Sequence, residues 1–209
     1  ANMIEKICTY IVNQMRKQMP DIDDEKAEVI TYGIELIIGE IPKIFLLFVL
    51  SFILGIGWYT VFAYVALIPY RASSGGFHLK THVGCIIGSS LFYYGIVYLS
   101  KFITLSVFQK YILIGLALVF GIIMVSLYAP ADTENIPIIS KKERKRKKIL
   151  SYITLMLTLI ASVFIKESII SNILIFGVII QSFMISRLAY LLTNNKYGYK
   201  EYQQKEKLA

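Results

Sequence analysis

Long apolar runs separate the charges of this chain into clusters. Charge-free stretches cover residues 44–70, 83–100, 111–131, 149–165 and 168–186. A helix needs about 20 apolar residues to cross a hydrocarbon layer of about 30 Å, so each of the last four suits one crossing. The first is too long for one crossing and too short for two. It splits at Gly55-Ile56-Gly57-Trp58, where two glycines disfavour continuous helix and Trp58-Tyr59 suits a membrane interface. The preceding helix then starts near Glu28 and carries Glu35, Glu40 and Lys43 in its first half. Glu40 and Lys43, three residues apart, can offset one another.

The pattern predicts an all-α polytopic membrane protein forming one domain over 1–209. Six transmembrane helices fall at about 28–56, 58–71, 83–100, 109–130, 149–165 and 168–190, followed by a tail over 191–209. Residues 3–19 precede them as an amphipathic interfacial helix, because Ile4, Ile7, Cys8, Ile11, Val12, Met15 and Met19 recur at helical spacing. Glu5, Lys6, Arg16 and Lys17 interrupt that stretch, which excludes a signal peptide. Pro20-Asp21 ends the helix, and Asp21 to Asp24 can cap the next one.

Composition excludes the other classes. Of 209 residues 56% are hydrophobic and 17% charged, against about 25% charged in soluble domains. A soluble globule of this size could not hide so much apolar surface, and a disordered chain is ruled out by the same figures. Two cysteines, Cys8 and Cys85, make no disulfide framework.

The net charge of +8 reports orientation. Residues 141–148, Lys-Lys-Glu-Arg-Lys-Arg-Lys-Lys, hold seven positives and one negative, a local sum of +6. Positive residues mark cytoplasmic loops. Counting crossings from that loop puts both termini, and the segment Arg71 to His82, on the same face. The bland reading of 141–148 is a topology determinant beside anionic membrane lipid; the sharper one is that Lys145, Arg146 and Lys147 meet an acidic peptide. No nucleic-acid partner is expected.

Most of the reactive vocabulary sits in one stretch, Tyr70-Arg71-Ala72-Ser73-Ser74-Gly75-Gly76-Phe77-His78-Leu79-Lys80-Thr81-His82-Val83-Gly84-Cys85, which contains both histidines. Ionisable groups at a membrane edge are functional candidates by default. In one chemistry His78 deprotonates Cys85 and the thiolate attacks a carbonyl. On a continuous helix the two would stand about 10 Å apart, so this reading requires the chain to bend between them. In the other, His78, His82 and Cys85 lie at i, i+4 and i+7 on an unbroken helix and ligate zinc, but Leu79 stands where a metallopeptidase motif has Glu. His82 alone reads as an interfacial side chain and Cys8 as a buried one. Gly75-Gly76 form a turn or offer N–H groups to an oxyanion. Gly84 and Gly88 have the spacing of close helix packing. Arg71 anchors at headgroups, holds a substrate carboxylate or pairs with Glu35 or Glu40.

The spacing Arg71-x4-Gly76-x-His78-x6-Cys85 resembles the accessory gene regulator B (AgrB) family, membrane cysteine endopeptidases of Gram-positive quorum sensing. So do the length, the six-span layout and Tyr128-Ala129-Pro130-Ala131 at the end of the fourth span. The resemblance implies a bacterial cell-membrane enzyme with His78 and Cys85 as its catalytic pair and no cofactor or metal. Beside that pair, the residues themselves make Gly75, Gly76, Arg71, Ser73 and Ser74 candidates to hold an oxyanion or shape the site, and Glu35, Glu40, Lys145, Arg146 and Lys147 candidate substrate contacts. It further implies an AgrD-like propeptide as substrate, cut to release its C-terminal part. The acyl-thioester on Cys85 would then be closed by a Cys or Ser of the peptide into a thiolactone or lactone. A homodimer is compatible with this reading. The chain departs from the family after Tyr128-Ala129-Pro130. Asp132-Thr133-Glu134-Asn135 stands where some members have lysines, so the cluster 141–148 would have to supply contacts made there. The rival classes are a six-helix peptide transporter and a non-catalytic membrane receptor. The chain has no two equivalent halves with broken helices, as transporters do, and a receptor has no use for the His–Cys spacing.

Overall fold

A computed structural model describes residues 3–19, 23–77, 79, 81–134 and 137–208. Among these the chain is all-helical, with nine helices: α1 (Met3–Gln18), α2 (Asp24–Ile53), α3 (Gly57–Ser74), α4 (His82–Phe102), α5 (Val107–Tyr128), α6 (Lys141–Phe164), α7 (Ser168–Met184), α8 (Arg187–Leu192) and α9 (Gly198–Leu208). Two compact units divide it, residues 1–50 and 51–209.

In the first unit α1 forms where a helix is expected; of its apolar set Cys8 and Val12 are buried, whereas Ile7 and Met19 are exposed. Helix α2 continues through Pro42, and Lys43 pairs with Glu40 one turn back. The helix breaks where the two glycines predicted. Ile53 ends α2, Gly55 takes φ +70°, and the Ile56 N–H donates to the Ser51 carbonyl. Glycine adopts positive φ without the Cβ clash that penalises other residues.

The second unit is built around α7, which packs against α3, α4, α5 and α6. Its sequence is apolar on all sides, and residues from Ser171 to Ser182 are buried around most of its circumference; such a helix belongs inside a bundle. Small residues let neighbours close in. A Cβ on Gly177 would come within 2.6 Å of the Leu67 side chain on α3, the kind of approach small residues permit between apolar helices. The core gathers Tyr70, Val125, Leu155, Ile175, Val178, Ile185 and Tyr190. The outer helices face the other way: Leu116, Val119, Phe108, Met156, Leu157 and Phe164 are all exposed. So much outward apolar surface fits a lipid environment.

Among the described residues three helices are long and apolar enough to cross a membrane, Val83–Phe102, Val107–Tyr128 and Lys141–Phe164, and α7 is a shorter apolar helix. Two expected boundaries move. The basic run 141–148 is not a loop but the first two turns of α6, started by Ser140, whose hydroxyl accepts from the Glu143 N–H. Lys and Arg are good helix formers, so charge alone did not mark a boundary. The expected span 168–190 ends at Met184, because Ser186 caps a new short helix by accepting from the Ala189 N–H at 3.3 Å.

Candidate active site

The stretch that carries the candidate chemistry joins α3 to α4. Helix α3 ends at Ser74 and α4 begins at His82, and Leu79 and Thr81 between them are non-helical. The unbroken helix that a zinc set at i, i+4, i+7 needs is not formed. His78 and Lys80 lie outside the described residues, as do the side chains of His82 and Glu35.

The α3 end is held by hydrogen bonds and a close backbone contact. Gly75, at φ +78°, donates its N–H to the Arg71 carbonyl and closes the helix. The Gly76 N–H donates to the Ala131 carbonyl at 2.9 Å and the Ala131 N–H to the Ser74 carbonyl at 2.8 Å, a parallel bridge across Gly75. A Cβ on Gly75 would run into the Ala131 carbonyl. Both glycine N–H groups are therefore engaged with backbone, and the expectation of oxyanion donors is corrected: this pair shapes the turn. The Tyr128-Ala129-Pro130-Ala131 segment acquires a physical role as the strand-like clamp on it.

Gln181 on α7 completes the hold. It is fully buried, donates through Nε2 to Ser74 Oγ (3.0 Å) and to the Gly75 carbonyl (2.8 Å), and accepts through Oε1 from Arg71 Nη1 (3.2 Å). Arg71 also points a nitrogen at Met184 Sδ and lies over the Phe92 ring at 5.3 Å. Ser74 and Ser73 turn back on their own helix, donating to the Tyr70 and Pro69 carbonyls, and Ser73 also meets Thr154 Oγ1 at 3.1 Å. Both serines are buried and serve packing. Glu40 has Lys43 as its partner.

On either side of His78 the neighbours are fixed. Phe77 meets the Tyr190 ring edge-on at 6.4 Å. Leu79 packs onto α4, where a Cβ on Gly88 would approach its Cδ1 to 2.8 Å. The Gly84-x3-Gly88 face thus receives a loop leucine, where helix–helix packing was expected. Thr81 caps α4, its Oγ1 accepting from the Gly84 N–H at 3.0 Å and its carbonyl from the Cys85 N–H at 2.9 Å. Cys85 is therefore in the first turn of α4 and half-buried.

Asp132 follows the clamp, and reading the sequence gave it no such part. Its side chain is fully buried: Oδ2 accepts from the Ile138 N–H (2.9 Å), Arg144 Nη1 (3.0 Å) and the Tyr199 N–H (3.0 Å), and Tyr190 donates to its main-chain carbonyl at 3.1 Å. Its Oδ1 is buried and has no hydrogen-bond partner among the described residues. The segment after Pro130 thus points its first carboxylate inward. One signal was available: two acids, Asp132 and Glu134, between an apolar run and a basic one. Tyr128, Tyr197 and Tyr190 stack beside it, the last two rings 4.2 Å apart. Burial, reinforced by Tyr128 and opposed by Arg187, pushes the Tyr197 phenol up, so it keeps the proton it donates to the Ile185 carbonyl. Of the expected substrate contacts, Lys147 stands 4.0 Å from Glu143, Lys145 lines a cleft with Arg144, and Arg146 is exposed.

The family model for accessory gene regulator B matches residues 6–185. The accessory gene regulator protein B of Staphylococcus aureus is 29% identical over 181 residues, covering 87% of this chain and 91% of its own. An AgrB-like protein of Listeria monocytogenes is 29% identical over 187 residues, covering 87% and 88%. One from Clostridium perfringens is 31% identical over 153 residues, covering 70% and 69%. No solved structure matches.

Proposed function

The chain belongs to the accessory gene regulator B family, and from that premise we propose that it is a membrane-embedded cysteine endopeptidase acting on an AgrD-like propeptide. The observation that carries the reading is the placement of Cys85. It sits half-buried in the first turn of α4, and the α3–α4 connection, to which His78 belongs by sequence, is hydrogen-bonded at Gly75-Gly76 and at Thr81. Positioned groups of this kind convert a bimolecular encounter into a directed attack.

In the proposed reaction His78 takes the Cys85 thiol proton, and the thiolate attacks the carbonyl carbon of the scissile peptide bond. The carbon–nitrogen bond breaks, the imidazolium returns its proton to the departing amine, and the C-terminal fragment leaves. The remaining acyl group is a thioester on Cys85 Sγ. A Cys thiol or Ser hydroxyl of the same peptide, deprotonated by His78, attacks that carbonyl and expels the Cys85 thiolate. The product is a thiolactone or lactone. Exclusion of water from the acyl-enzyme favours the ring over hydrolysis.

The topology belongs to the same proposal. Six crossings, α2 to α7, place both termini, the α3–α4 turn and the basic end of α6 on the cytoplasmic face, and the positive-inside rule supports that sense. The test is incubation of membranes containing the full chain with a synthetic AgrD-like propeptide, followed by mass spectrometry. The parent should release the C-terminal fragment, and a trapped sample should carry the acyl group on Cys85. Cleavage by Cys85→Ala at matched protein level would remove the proposal.

A further inference from the structure

We propose that the cleft where α5 ends and α6 begins binds the phosphate headgroup of an anionic glycerophospholipid; this rests on reading α5 and α6 as membrane spans, not on the peptidase chemistry. The cleft holds about 370 Å³ and is walled by three segments distant in sequence: Tyr128 to Pro130, the first two turns of α6, and Tyr197 to Lys200.

Its three lysines carry the charge that no acidic side chain among the described residues offsets. Arg144 at its back is engaged with Asp132 and lies 4.3 Å from the Tyr199 ring. Lys145, Lys148 and Lys200 also line it. Among the described residues no carboxylate stands within 4.0 Å of these three, whereas Lys147 has Glu143 and Lys196 has Glu201. Two of them are already positioned, Lys148 by the Ser126 carbonyl at 2.6 Å and Lys200 over the Tyr197 ring at 5.2 Å. Cations near the N-terminus of α6 also add to the positive end of its dipole. An anion in the cleft relieves both effects.

The apolar surroundings say which anion. Leu127 lines the cleft and is 64% exposed. Leu116, Val119 and Ile123 precede it at helical spacing and are exposed as well, and on α6 Ile149 and Ile153, within two turns of Lys148, are exposed too. A headgroup phosphate among the lysines would leave its acyl chains lying along this stripe. Free phosphate has no use for the stripe, and a water-soluble acidic peptide would leave it bare. Occupancy would also bear on the candidate active site, since Arg144 donates to the Pro130 carbonyl at 3.3 Å and the next residue, Ala131, clamps Gly75.

The experiment is native mass spectrometry of the full chain with equal amounts of phosphatidylglycerol and phosphatidylcholine. It compares the parent with Lys145→Gln/Lys148→Gln/Lys200→Gln and with Lys141→Gln/Lys142→Gln/Arg146→Gln, which removes the same charge outside the cleft. The parent should prefer phosphatidylglycerol by at least about tenfold, the cleft variant should lose that preference, and the outer variant should keep it. The single variants Lys145→Gln and Lys200→Gln repeat the comparison should the triple fail to fold. Equal retention of the two lipids, or equal loss in both triple variants, would overturn the proposal. So would displacement of phosphatidylglycerol by excess inorganic phosphate or by a soluble Glu-rich peptide, which would assign the cleft to that ligand. Lipid retention does not depend on cleavage, so either result leaves the peptidase reading standing.

Discussion

The side-chain amide of Gln181 donates to the carbonyl of Gly75 at 2.8 Å, joining the middle of the bundle to the turn before His78. The same amide group satisfies Ser74 and Arg71, so one buried residue organises three groups of the candidate site. Replacing it by leucine keeps the volume but takes the side-chain donor from the Gly75 carbonyl and one contact each from Ser74 and Arg71, at about 1–3 kcal/mol for a buried polar group left unpaired. Because small displacements of positioned groups cost large factors in rate, Gln181→Leu should lower propeptide cleavage by about 10- to 100-fold. Membrane-inserted protein should remain readily detectable. A fall in protein level that matches the fall in activity would show that Gln181 only supports folding. The conservative Gln181→Glu retains an acceptor for Arg71 but not the two donors, and should recover at most part of the rate.

The Gly75–Ala131 bridge makes a separate prediction. Gly75 combines φ +78° with a backbone oxygen where a Cβ would go. Gly95, in the middle of α4, has open space at the same point and no unusual φ. Gly75→Ala should therefore abolish cleavage or reduce it more than about 100-fold. Gly95→Ala, which favours helix by about 1 kcal/mol, should leave activity near the parent's and raise the melting temperature slightly in detergent. Normal cleavage by Gly75→Ala would mean that the turn is not part of the site.

Asp132 and Arg144 should couple energetically. Removing one partner of a buried pair costs about 3–5 kcal/mol, a range to be reduced here because Arg144 is 22% exposed. Asp132→Asn should loosen the contact with the Tyr199 N–H and speed trypsin cleavage at Lys196 and Lys200. Arg144→Gln should do so less, and the double variant less than the sum, as for residues sharing one contact. Additive effects would show that the Ile138 and Tyr199 N–H groups, not Arg144, carry the hold.

Where the helices lie was legible because apolar run length and paired glycines act locally. Gly55 breaks the chain at its predicted place for a reason visible in the residue itself. The start of α6 was not legible, since a run of lysines reads as a loop by charge although lysine favours helix; Ser140 was the missed cue. The turn at Gly75 was recognised, but not its use. Whether its N–H groups face substrate or backbone depends on Ala131, more than fifty residues away, and on the path of the chain after α5. Gln181 was invisible for the same reason. A lone glutamine in an apolar helix carries no pattern, and its role exists only once α3 and α7 pack together.

The remaining prediction concerns the sense of the crossings, which fixes where substrate must arrive. Seven positives lie within 141–148 and form the aqueous end of α6; moving them across a bilayer is strongly disfavoured. Glu134 and Gln203 should then face the cytoplasm and Thr104, between α4 and α5, the outside. All three are exposed, which suits them to labelling, whereas Ser74 is fully buried and would report nothing. In a Cys8→Ala/Cys85→Ala background, Thr104→Cys should react with an impermeant thiol reagent in intact cells. Glu134→Cys and Gln203→Cys should react only after the cells are opened. Neutralising Lys145, Arg146 and Lys147 with Gln leaves a local sum of +3 and should not change this pattern. Labelling of Glu134→Cys from outside would invert the topology and move the Cys85 turn to the outer face, where a propeptide made in the cytoplasm could reach it only after crossing the membrane.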